Sequence, residues 1–205
     1  MLEVLAPGFR RAPLESLEEP TVGVAWLELA DPLVAARVEE AAARFPRRQA
    51  VAFPLPPRIR AVFMREVADV HRELYAENAD LYGENVAAKV EACLRITDAQ
   101  YETDLASLHG YGEQALEAIE GFDLLLTPTV PMVAPPADAA EIEIREAVTR
   151  FTYPINGLGW PALALPCGPA EDGLAASVQL VGRPGSDASV LAAGALLEAA
   201  LASPI

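Results

Sequence analysis

Residues 21–53 change hydrophobic period twice, and that change most restricts the folds open to this chain. Thr21–Trp26 (TVGVAW) is a short β-branched run that predicts a strand. Asp31–Pro32 follows, an N-cap residue with proline at the first helical position. Val34, Val38, Ala41 and Phe45 then recur at helical spacing, and Gln49–Phe53 (QAVAF) is a second apolar run closed by Pro54, Pro56 and Pro57. Strand, helix and strand at this spacing form a βαβ-like unit. Such a unit needs a helix covering a sheet, so the fold class expected is α/β.

The centre of the chain reads as helical. Phe63, Val67, Val70 and Leu74 form an apolar stripe, a second helix is expected over residues 84–94, and Thr97 with Gln100 makes a capping box that opens a third. That third helix carries Leu105, Leu108, Ala115, Leu116 and Ile119 and is expected to end at Gly121. Phe122–Thr127 (FDLLLT) predicts a buried strand, and the prolines of residues 128–136 force an irregular path after it. A short helix is expected over residues 141–151. Residues 161–167 and 176–181 predict two more strands joined as a hairpin through Pro169–Gly173, and Ser186 or Asp187 caps a last helix. Residues 1–19 read as a tail or linker, and 20–205 as one domain-like body.

Composition excludes several partners. The net charge is −15 with a single lysine, Lys89, so there is no basic surface for phosphate neutralisation or for an anionic membrane. No nucleic acid and no membrane are therefore expected, and no apolar run reaches the length of a membrane span. The start of the chain lacks the basic-then-apolar pattern of a secretory signal. Cys93 and Cys167 have no metal-ligand spacing, two histidines are too few for a histidine-rich metal site, and free thiols fit the cytoplasm. Neither a metal nor any other cofactor is expected.

Three segments in order resemble the amidase-signature family: FDLLLTPTVPMVAPP from Phe122, FTYPINGLGWPALALPCG from Phe151, and GLAASVQLVGRPGSDASVLAAGALLE from Gly173. Looser agreement upstream extends the resemblance over roughly residues 20–203. It implies the C-terminal portion of an α/β/α amidase-signature fold, a mixed β-sheet flanked by helices, from a family that hydrolyses carboxamides. The pocket candidates are Pro128 and Thr129 at a strand end, Asn156, Gly157 and Gly159 where the backbone is expected to turn tightly, and Cys167 at a strand end on the side of the cleft. Gln179, inside an apolar strand, needs partners if it is buried.

The family's catalytic residues carry over to no position. The resemblance implies a nucleophilic serine, a second serine and a lysine base, with both serines in a Gly-Gly-Ser-Ser-Gly-Gly-like loop. This sequence has no Gly-Gly and no Ser-Ser pair, and Lys89 lies in a predicted helix. Ala175 stands where the family often has proline, and Leu108 or His109 near a common arginine. His109, next to Gly110 and Gly112, is expected to mark a helix irregularity. A Cys–His nucleophile built on Cys167 would need His71 or His109 nearby; a buried, inert thiol is the expectation.

Besides a new enzyme that uses Cys167 or a carboxylate, two readings follow. In one, the chain is half of an amidase acting on a small-molecule amide, inactive alone and completed by a complementary N-terminal half. In the other, it is a non-catalytic scaffold or regulatory subunit, or a truncated relic. Cut from a continuous parent sheet, such a half leaves a sheet edge and an apolar face, so association with the complementary half or with itself is expected.

Overall fold

The computed structural model describes residues 8–10, 12, 14–139 and 141–202. They form a mixed five-stranded sheet flanked by helices, as the α/β reading requires. The chain divides into two compact units, one of residues up to 53 together with those from 115 onward, the other of residues 54–114.

The first unit holds the sheet. Strands β1 (Val22–Val24), β2 (Arg48–Ala50), β3 (Leu124–Pro128), β4 (Ala162–Pro169) and β5 (Ala175–Gly182) lie in the order β2-β1-β3-β5-β4. β1 is parallel to β2 and to β3, and β5 is antiparallel to β3 and to β4. The parallel pair β1–β2 is joined through helix α1 (Pro32–Ala42), the βαβ unit expected of residues 21–53. Pro32 starts the helix, but the carboxylate of Asp31 makes no capping hydrogen bond. The β4–β5 hairpin turns through a short 3₁₀ segment at Glu171–Gly173, and its ladder shifts register between Pro166 and Pro169. Both prolines sit on an edge strand, where a missing N–H costs no ladder bond.

Each sheet face has its own core, because side chains alternate along a strand. On one face Val22, Val24, Leu124, Leu126, Val178 and Leu180 pack with Val34 and Val38 of α1 and with Val190 and Leu197 of the C-terminal helix. On the other, Leu125 and Val181 pack with Trp26, Phe53, Phe151 and Trp160.

The second unit is helical: α2 (Arg60–Asn78), α3 (Glu84–Leu94) and most of α4 (Asp98–Ala118). The capping box forms, with the Thr97 N–H donating to Gln100 Oε1 (3.0 Å) and the Gln100 N–H to Thr97 Oγ1 (3.3 Å). Buried Asp104 accepts from the Ala61 N–H at 2.7 Å and so satisfies a free donor in the first turn of α2. One expectation fails here. The helix runs unbroken through His109–Gly112, since glycine inside a helix lowers its stability without interrupting it. The stripe on α2 exists, but Val67, Val70 and Leu74 are exposed, and α2 packs through Ala61, Val62 and Ala68 instead. Short side chains let helices approach closely, so the buried face is not the one with the largest apolar residues.

The remaining helices complete the first unit: α5 (Glu141–Thr149), α6 (Thr152–Leu158) and α7 (Asp187–Ala202). Asn156 and Gly157, expected in a tight turn, lie in the last turn of α6. Only Gly159 takes the left-handed conformation, φ +65°, as the residue that ends the helix.

Candidate functional site

In α/β sheets the carboxyl ends of parallel strands are the usual place for a cleft. Beyond β1 the chain reaches Trp26, in the left-handed region at φ 64°. That conformation costs a non-glycine residue about 1–2 kcal/mol, and the indole has partners that hold it. Its N–H donates to the Phe53 carbonyl at 3.1 Å, its ring stands edge-on to Phe53 at 5.4 Å, and it stacks on Phe151 at 5.4 Å. The Asp31 N–H donates to the Pro131 carbonyl at 2.7 Å, tying the segment after β1 to the one after β3.

A row of polar side chains runs beside this aromatic group on the same sheet face. Thr127 and Gln179 are register partners, both buried. The Gln179 amide donates to Thr127 Oγ1 (3.2 Å) and to the Phe151 carbonyl (3.3 Å), fastening the start of α6 to the sheet. Gln179 thus has the partners its burial demands. Two residues along each strand, the hydroxyls of Thr129 and Ser177 lie 2.9 Å apart, the Thr129 N–H donates to the Ser177 carbonyl, and Ser177 Oγ donates to the Leu165 carbonyl at 3.2 Å. Across the ladder Ala164 and Pro166 share that face and are exposed. The face is covered by aromatics and α6 at one end and open at the β4–β5 corner, where the half-buried hydroxyl pair sits.

The predicted pocket residues are thereby sorted. Pro128 closes β3 as the partner of Val178, and Thr129 joins the hydroxyl pair. Asn156, Gly157 and Gly159 lie on or just after α6, on the side of the sheet that carries Thr129, with Asn156 and Gly159 exposed. Cys167 does not join them. It is buried on the opposite face among Leu165, Val34 and Val38, because residues 163, 165 and 167 alternate onto that face. Burial, reinforced by Glu40 and only partly offset by Arg37, pushes its thiol up to about 11. A thiol so protonated is a poor nucleophile at neutral pH.

Three chemistry-bearing residues belong to the helical unit. His71 Nδ1 lies 2.9 Å from the Tyr82 hydroxyl in the helical unit, and Lys89 and His109 lie within α3 and α4. Among the described residues no three of His, Cys, Asp and Glu are grouped to hold a metal, and no helix is long and apolar enough to cross a membrane. The sequence reading missed Thr127 and Ser177. Ser177 and Gln179 are two apart in one strand and so share a face, a signal present in ASVQLV. Thr127 shows itself only once β3 and β5 are paired.

The family model described as Amidase matches residues 25–191. A fatty acid amide hydrolase of Arabidopsis thaliana is 36% identical over 93 residues, which are 42% of this chain and 15% of that protein. The 2-amino-5-chloromuconic acid deaminase of Comamonas testosteroni is 30% identical over 185 residues, 82% of this chain and 40% of that protein. A crystal structure of an amidase superposes with a TM-score of 0.76 at 30% identity, covering 92% of this chain and 47% of the other. The chain thus spans less than half the length of each of these relatives.

Proposed function

The chain belongs to the amidase family, and from that membership we propose that it forms the C-terminal half of a carboxamide hydrolase, contributing sheet and pocket wall to a site completed by a segment that bears the serines and lysine. That segment is either another part of the same polypeptide or a separate chain. A serine hydroxyl becomes a competent nucleophile only beside a base, and the developing oxyanion needs backbone N–H donors such as a glycine-rich loop presents. The glycine-rich double-serine loop that would supply both is not in this sequence, which has no Gly-Gly and no Ser-Ser pair.

The observation that carries the proposal is the open end of the sheet face at the β4–β5 corner. There the Thr129 and Ser177 hydroxyls are half-buried and supply donor and acceptor positions for a small amide. Pro128 directs the chain out of the sheet beside them, and Asn156, Gly157 and Gly159 complete the wall. Cys167 belongs to the structural core. Both cysteines are buried free thiols, which fits a cytoplasmic setting.

The test is hydrolysis of a panel of simple carboxamides by the purified chain, with and without a co-expressed N-terminal amidase half. Turnover only with that half present is the expected result. Substituting Thr129→Val and Ser177→Ala together should then raise KM more than it lowers kcat. Turnover by the chain alone would refute the proposal. Inactivity with the half stably bound would replace it with the scaffold reading.

A further inference from the structure

The helical unit carries an apolar surface that its own packing does not use. Val70 is 66% exposed, Leu74 51%, Leu81 77% and Val86 48%. Val67, Val70 and Leu74 lie at i, i+3 and i+7 of α2 and so form one ridge. The ridge runs into a groove of about 390 Å³ walled by Leu74, Asn78, Leu81, Tyr82 and Val86. The Tyr82 wall of the groove is braced: His71 meets the Tyr82 hydroxyl, Tyr75 packs edge-on against Tyr82 at 5.1 Å, and the Tyr75 hydroxyl donates to Glu91 at 2.8 Å. Isolated exposed leucines are ordinary, but a contiguous set at helical spacing ending in a preformed groove marks an interaction surface.

Charge decides between occupants. At 100° per residue, Glu66, Glu73 and Glu77 run along one side of the ridge, and Asp80 and Glu84 stand next to Leu81 and Val86. All five are exposed, and none is paired with a cation among the described residues. A second copy packed antiparallel on this ridge would bring acidic rim against acidic rim, which opposes pairing. We propose that the ridge and groove of α2 and α3 bind an amphipathic helix of a partner protein, its apolar seam flanked by lysine or arginine. The partner's seam covers Val67, Val70 and Leu74, one large apolar side chain enters the groove, and its basic flank meets Glu66, Glu73 and Glu77.

The experiment uses the full chain and fluorescein-labelled peptides of about 20 residues, long enough to hold a helix, read by fluorescence anisotropy. One peptide has a leucine seam flanked by lysine, one the same seam flanked by glutamate, and one the lysine composition scrambled. The lysine-flanked peptide should bind at least about tenfold more tightly than either control, a difference of about 1.4 kcal/mol. Its affinity should fall with added salt. Val70→Gln with Leu74→Gln, at exposed positions and therefore without loss of helicity by circular dichroism, should weaken it by a similar factor. Glu66→Gln, Glu73→Gln and Glu77→Gln together should flatten the salt dependence. Equal binding of the lysine and glutamate peptides, or binding of neither, would overturn the proposal. So would a dimer in sedimentation that becomes monomeric in the Val70→Gln, Leu74→Gln variant, since a second copy would then be the occupant. Displacement of the lysine peptide by a serine-bearing amidase half would overturn it as well, while leaving the carboxamide reading intact.

Discussion

Replacing Gln179 by leucine tests whether the polar contacts between β5, β3 and α6 hold the sheet face together. The side-chain amide is buried and donates at 3.2 Å to Thr127 Oγ1 and at 3.3 Å to the Phe151 carbonyl. Leucine fills a similar volume, so the change removes two donors without opening a large cavity. Two hydrogen bonds at a net ~1 kcal/mol each give a loss of about 2 kcal/mol. Two features keep the figure there: Phe151 precedes α6 as its N-cap, so its carbonyl is positioned to accept the first intrahelical bond, and the Thr127 hydroxyl still donates to the Pro128 carbonyl at 2.9 Å. The measurement is urea unfolding followed by tryptophan fluorescence. Trp26 and Trp160, the two tryptophans of the chain, lie in the same apolar cluster as Phe151 and so report on this face. Thr127→Val completes a double-mutant cycle, and the double variant should be less destabilised than the sum of the singles by ~1 kcal/mol. A loss below about 0.5 kcal/mol for Gln179→Leu, or additivity within error, would refute the claim that these bonds fasten α6 to the sheet.

Three further outcomes are expected. Cys167 should resist iodoacetamide at pH 8 in the folded chain and react once the chain is unfolded in urea; its thiol is raised from 9.0 to about 11, so the folded state holds the proton more tightly and Cys167's contribution to stability should be full below pH 9 and fall as pH rises toward 11. Gly182→Ala should destabilise by ~1–3 kcal/mol in urea unfolding, because a β-carbon there would stand 2.1 Å from Ser186 Oγ and 2.6 Å from Val190 Cγ2. Asp104→Ala should cost ~1–2 kcal/mol and lower helical circular dichroism at intermediate urea, since it removes the acceptor of the Ala61 N–H at the start of α2. No change in any of these three would count against the burial or the contact from which it is derived.

The amino-acid sequence by itself determined the local elements. The β-branched run at Thr21, proline at the first position of α1, the Thr97–Gln100 capping box and the proline after FDLLLT act over a few residues, and each produced the element expected of it. The family, too, was legible, because its segments after Phe122 keep residue types in order and spacing. Tertiary structure alone decided which side of an element would be covered. The ridge of Val67, Val70 and Leu74 has the period of a buried helix face, yet Ala61, Val62 and Ala68 are what α2 buries. Cys167 and Thr129 both lie near strand ends, yet the parity of their strands and the pairing order β3-β5-β4 send them to opposite faces. Asn156–Gly157 resembles a turn, yet it continues a helix whose start, at Phe151, Gln179 holds from 28 residues further along the chain. Propensity and capping are settled among neighbours in sequence, whereas burial, strand pairing and the partnering of a buried amide depend on residues that only folding brings into contact.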